Sequence, residues 1–100
     1  MYRYTTPTLP IKIEGIDYET VELIRIAIEQ KGTEMLKEVT PEAVDSETNT
    51  IYIPLTQEET AALSTGFAEV QARIKFNSGA VLATNKVKLS VNDVLDEVII

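Results

Sequence analysis

Three groups of side chains in this chain have the types and spacing that chemistry could use. Asp45, Glu47 and Asn49 put oxygen ligands at the first, third and fifth places of a run that begins like a calcium loop. The run then fails, because Thr50 stands where the loop turns on a glycine and Thr56 where it closes on a bidentate glutamate. A polar turn between strands accounts for it. Glu58 and Glu59 adjoin as paired acids would, but Thr56 stands three residues before Glu59, the spacing of a capping box. Acids in the first turn of a helix are explained by the helix dipole alone. The third group is Arg73, Lys75, Lys86 and Lys88, gathered in a stretch from Val70 to Val91 that holds no acid. It lacks the interleaved aromatic rings on which bases would stack, so it suits a solvated sheet face or a protein contact.

The missing residue types narrow the field further. The chain has no His, no Cys and no Trp, which removes the commonest general base, the thiolate nucleophile and the usual soft-metal ligands. A Ser or Thr nucleophile would then need a lysine or an N-terminal amine as its base, and no segment arranges one. The expectation is a protein with no catalytic residues, no metal and no cofactor. Sixteen acids against nine bases give a net charge of −7, a sign that repels phosphate backbones and anionic lipid headgroups. Nucleic acid and membrane are therefore not expected partners. No apolar stretch approaches the roughly 18 to 20 residues of a spanning helix, and no basic N-region with an apolar run opens the chain.

The elements that must position these groups are strands. Ala68 to Phe76 alternates strictly, with even positions apolar and Glu69, Gln71, Arg73 and Lys75 at the odd ones, the signature of a half-buried strand. Val81 to Val91 alternates in the opposite parity, and Asn77-Ser78-Gly79 lies between the two runs. A hairpin that keeps like faces together pairs Phe76 with Val81, Ile74 with Ala83, Ala72 with Asn85, Val70 with Val87 and Ala68 with Leu89. On its wet face Glu69 meets Lys88. Asn85 is the discordant position: an inward amide there needs a hydrogen-bond partner or a local bulge.

Upstream, Leu9 to Ile13 and Val21 to Ile28 read as strands, with Ile24, Ile26 and Ile28 on one face. Gly32 supplies a left-handed turn into Thr33 to Val39, where Met35 and Leu36 leave the inward parity open. Residues 41 to 49 make a polar connection with room for a short edge strand, and Ile51, Ile53 and Leu55 resume the alternation. Thr56 starts a helix of at most two turns over residues 57 to 64, with Gly66 expected as its left-handed cap. The last segment, Asn92 to Ile100, suits a short helix or a strand equally. Tyr2 and Tyr4 flank Arg3 ahead of the first strand, and such amphipathic rings can fold onto their own domain or anchor a neighbour.

Six or seven short strands, tight hairpins and one helical crossover in 100 residues predict an all-β, immunoglobulin-like antiparallel sandwich forming a single domain over residues 1–100. The cysteine pair and buried tryptophan of antibody domains are absent, so the match is to the architecture, and a different two-sheet topology or a small barrel fits the same pattern.

Tyr4-Thr-Thr-Pro-Thr-Leu9, Arg25-Ile-Ala-Ile-Glu-Gln30, Thr48-Asn-Thr-Ile-Tyr-Ile-Pro-Leu-Thr-Gln-Glu-Glu-Thr60 and Val70-Gln-Ala-Arg73 together resemble a family of short proteins from phages and prophages of Gram-positive gut bacteria. Leu55-Thr-Gln-Glu-Glu-Thr60 followed by Val70-Gln-Ala-Arg73 is similar to the N-terminal Ig-like domain of tail, baseplate and receptor-binding components. The resemblance implies a virion structural module, located in the particle or the host cytoplasm, that attaches to neighbouring protein subunits or to copies of itself. It carries over no catalytic residue. The rival expectation is a surface adhesion or carbohydrate-binding sandwich, and an ancillary domain of an enzyme is a third. The surfaces expected to make contacts are the basic group Arg73, Lys75, Lys86 and Lys88, the pair Tyr2 and Tyr4, and the apolar C-terminal residues Val98, Ile99 and Ile100.

Overall fold

The isoleucine alternation of the central strand organises everything around it. In a computed structural model describing residues 1–100, Ile24, Ile26 and Ile28 are fully buried on one face of β2 (Val21–Gln30). β2 turns into β3 (Thr33–Val39) through Lys31 and Gly32, both at positive φ (47° and 85°), the two-residue hairpin whose twist matches that of the strands. The parity of β3 is thereby settled. Met35 faces inward opposite Ile28, and Leu36 faces out.

Three short strands make the opposing sheet: β1 (Thr8–Lys12), β4 (Val44–Asp45) and β5 (Thr50–Pro54), in the order β1-β5-β4. Leu9, Ile11, Ile51 and Ile53 project from it into the core. The chain crosses between sheets through α1 (Gln57–Ala61). Thr56 caps α1 as its spacing predicts: its hydroxyl accepts from the Glu59 amide at 3.2 Å, and the Glu59 carboxylate accepts from the Thr56 amide at 2.8 Å. The helix is shorter than the expected limit, and Gly66 does not cap it. Gly66, at φ 126°, instead opens β6 (Gly66–Phe76).

β6 completes the five-stranded sheet. It pairs antiparallel with β2 on one side and with both β7 (Val81–Ala83) and β8 (Val87–Val91) on the other. All-β character with two antiparallel sheets of three and five strands is thus what forms. There are eight strands rather than six or seven, because the last run divides in two and Val44–Asp45 adds an edge.

The hairpin register departs from expectation near the turn. Lys75 opposes Val81, Ile74 opposes Leu82 and Arg73 opposes Ala83, and the Phe76 amide donates to the Ala80 carbonyl at 2.9 Å. Phe76 therefore does not face Val81. The loop is the three residues Asn77-Ser78-Gly79, with Gly79 at φ 92°, and this compact hairpin form overrides the face-matching argument. Beyond the turn, Val70 opposes Val87, Glu69 opposes Lys88 and Ala68 opposes Leu89 as expected.

A bulge at Thr84–Lys86 reconciles the two registers. The Thr84 amide donates to the Ala72 carbonyl at 2.9 Å, and the Ala72 amide donates to the Thr84 hydroxyl at 3.0 Å. One extra residue on the β7–β8 side then resets the pairing, and Asn85 goes to solvent. Residues 93–100 form neither a helix nor a strand.

Candidate functional site

The loop-driven register shift has a consequence at the surface. Leu82, opposite the buried Ile74, lies on the core-facing side of its sheet but is 45% exposed. Val87, opposite Val70, also faces the core side and is 54% exposed. Along the same edge Leu89 is partly buried and Val91 is 1% exposed. Cover thus runs out from the α1 end toward the hairpin end. At the covered end the N-terminus supplies it: the Met1 ammonium donates to the Ser90 carbonyl at 2.9 Å, and Tyr2 makes a parallel bridge with Asn92.

The uncovered end is an open groove between the two sheets. Its larger part, about 450 Å³, lies between Ile11, Lys12 and Ile13 of the β1 side and Leu82, Thr84 and Val87 of the other. A smaller continuation of about 180 Å³ runs past Leu9, Pro10 and Leu89. The outer edge of β1 is unpaired. Ile13 donates to the Asn49 carbonyl and Leu55 to the Pro7 carbonyl, so odd-numbered residues bond to β5 and the backbone of Thr8, Pro10 and Lys12 points to the free edge. Pro10, which has no N–H, belongs on such an edge.

The basic group regroups on the outer face of the five-stranded sheet. Arg73 stands directly beside Arg25 of β2, with Lys75 one row further on. Lys88 instead lies beside Glu69, and Lys86 borders a hollow shared with Glu29 and Glu69. The four expected cations are thus on one sheet but at two ends of it. Arg25, at the centre of the real cluster, was hidden among the isoleucines of β2. The ion pairs here are long: Arg25 to Glu38 at 3.7 Å and Lys75 to Glu22 at 3.9 Å.

The tyrosines and the C-terminal residues are drawn together at the opposite end. Tyr2 is 57% exposed, whereas Tyr4 is partly covered by the Arg3 guanidinium, 5.2 Å from its ring centre. Arg3 binds Asp93 at 2.8 Å, Glu97 at 3.2 Å and the Ala61 carbonyl at the end of α1 at 2.9 Å. A hydrogen bond from Thr65 and another from Arg3 hold the Asp93 carboxyl below its usual range. Gln57 grips the backbone of Ile100 through both its amide atoms, at 2.8 and 2.9 Å. The side chains of Val98, Ile99 and Ile100 remain exposed.

The features resembling chemistry have structural explanations. Asp45 accepts from the Glu47 amide at 3.0 Å, an Asx turn, and no cluster of acids in the structure could hold a metal ion. Glu59 caps α1 and pairs with Lys37 at 2.7 Å. Burial pushes its carboxyl up, but the hydrogen bonds from Lys37 and from the Thr56 amide outweigh that and hold it below the usual range. Lys37 occupies an inward position of β3, opposite Ile26. A lysine breaks the apolar alternation, so period two alone does not mark this position as inward. No helix is long and apolar enough to cross a membrane. No protein-family model, no curated protein and no solved structure matches the chain.

Proposed function

We propose that this chain is a non-enzymatic assembly module that takes up an extended strand of another protein subunit along the free edge of β1. The observation that carries the reading is the exposure of Leu82 and Val87 on the core-facing side of the five-stranded sheet. A fourth strand added beside β1, at the usual spacing of about 4.8 Å, would lie over those two side chains. It would bond to the outward backbone groups of Thr8, Pro10 and Lys12, the mode of recognition in which main-chain bonds give affinity and side-chain pockets give specificity. Covering the exposed half of each of these side chains contributes roughly 0.7 to 1.5 kcal/mol.

The sequence resemblance to tail- and baseplate-associated proteins supports the same reading, since such modules hold subunits together and need no reactive groups. A virion component attached to neighbouring subunits is the biological setting proposed.

A photoreactive side chain at Val87, in the chain produced by its native cells, tests the site. The expected result is one discrete adduct with a protein subunit, lost when Leu82→Glu puts a charge into the groove. An adduct indifferent to Leu82→Glu, or none in cells where the subunits assemble, would overturn the reading.

A further inference from the structure

The outer face of the five-stranded sheet carries like charges side by side. Arg25 directly opposes Arg73 across β2 and β6, and Glu29 directly opposes both Glu34 and Glu69. Like charges in cross-strand pairs destabilise a sheet, and a solvated face needs no such arrangement. Between the arginine row and the glutamate row lies a middle row of Leu36, Ala27 and Gln71. Leu36 is 53% exposed. The small side chain of Ala27 leaves a notch of about 300 Å³ bounded by Arg25, Glu34, Leu36 and Arg73.

We propose that this face binds a second copy of itself, related by a two-fold axis that runs along the middle row across the strands. Such an axis reverses the direction of the strands and leaves each strand over its own counterpart. Arg25 then meets the partner's Glu29 and Arg73 meets the partner's Glu69, and both contacts occur twice. The arginine and glutamate rows are equally spaced from Ala27 on β2 and from Gln71 on β6, two residues or about 6.6 Å on either side, so every pair comes into register together. Leu36 packs near the axis with the Ala27 notch beside it. Lys75 and Phe67, each four residues from Gln71, also exchange partners. Phe67 is 68% exposed and has Lys88 of its own chain 5.7 Å from its ring centre.

The same operation brings Glu38 toward the partner's Glu34. That contact falls on the edge strand β3, in solvent, where salt screens it. The contact is isologous and closes on itself, so it makes dimers and not filaments. It uses the face opposite the groove proposed above and does not depend on it.

Charge exchange tests the assignment. Sedimentation of the full chain at low salt is expected to show a dimer that weakens as salt rises. The variants Arg25→Glu/Arg73→Glu and Glu29→Arg/Glu69→Arg should each lose dimer affinity by at least about a hundredfold, since close charge pairs couple strongly. Mixed one to one, the two variants are uniformly acidic and uniformly basic at positions 25, 29, 69 and 73, and a heterodimer should return. Leu36→Arg, a single exposed change at the axis, should also give a monomer with an unaltered melting temperature. A wild-type monomer at low salt and millimolar concentration, or a mixture that stays monomeric while both variants are folded, would overturn the proposal. So would a dimer that survives both reversals and disappears with Leu82→Glu, which would move the contact to the groove.

Discussion

Thr56 shows how much one hydroxyl can settle locally. It accepts from the Glu59 amide while Glu59 reaches back to the Thr56 amide, so Thr56→Ala is expected to cost about 0.5 to 2 kcal/mol, read from the shift of a denaturation midpoint. Glu59 extends the argument to pH. Its folded-state pKa lies below the ordinary value of 4.5, so its contribution is present in full above pH 4.5 and is lost as pH falls through the folded value. Glu59→Gln should flatten the acid limb of stability below about pH 4.5 and leave its slope at neutral pH unchanged; an acid limb of unaltered slope would count against the pairing. The capping spacing was legible in the sequence. The ion partner was not, because Lys37 reaches Glu59 only after β3 adopts a parity that neighbouring Met35 and Leu36 leave open.

At the scale of elements, alternation identified the strands well and misjudged one register. The isoleucines of β2 and the apolar positions of β6 are where period two puts them, because a slip there would expose a whole face. The β6–β7 hairpin is different, since Val81, Leu82 and Ala83 are all exposed and little burial is at stake in either parity. Turn geometry then decides, and the bulge at Thr84 absorbs the mismatch that Asn85 had signalled. Thr84→Val tests this account. It leaves the Ala72 amide, inside a fully buried residue, without the hydroxyl it donates to. The expected loss is about 1 to 3 kcal/mol, against a near-neutral change at the neighbouring exposed Asn85→Ser. A Thr84→Val variant as stable as the parent would show that the bulge is held by the turn alone.

For the whole molecule, stability and contact are expected to separate. Ile74 lies in the closed part of the sandwich, and Ile74→Ala should cost about 2 to 5 kcal/mol. Leu82→Ser on the adjacent strand removes a side chain that is already 45% exposed, and its midpoint should move by less than about 1 kcal/mol. Equal losses at the two positions would mean that the groove is closed in solution. The sandwich itself could be read from the sequence, but its open edge could not. That edge depends on how far a three-stranded sheet reaches across a five-stranded one, and no local pattern encodes that distance.

The pairing of the first residues with β8 also has a mechanical side. Met1–Arg3 runs parallel to Ser90–Asn92, joined by Met1 to Ser90, Asn92 to Met1 and Arg3 to Asn92. Tension applied at residue 1 and residue 100 pulls these parallel segments in opposite directions along their length. The three bonds are then loaded together in shear and must break at once, instead of unzipping one after another. The fold is therefore expected to resist stretching along the line through its two ends better than pulling across the sheet from Lys12 and residue 100, a difference that single-molecule force measurements would register as a higher rupture force.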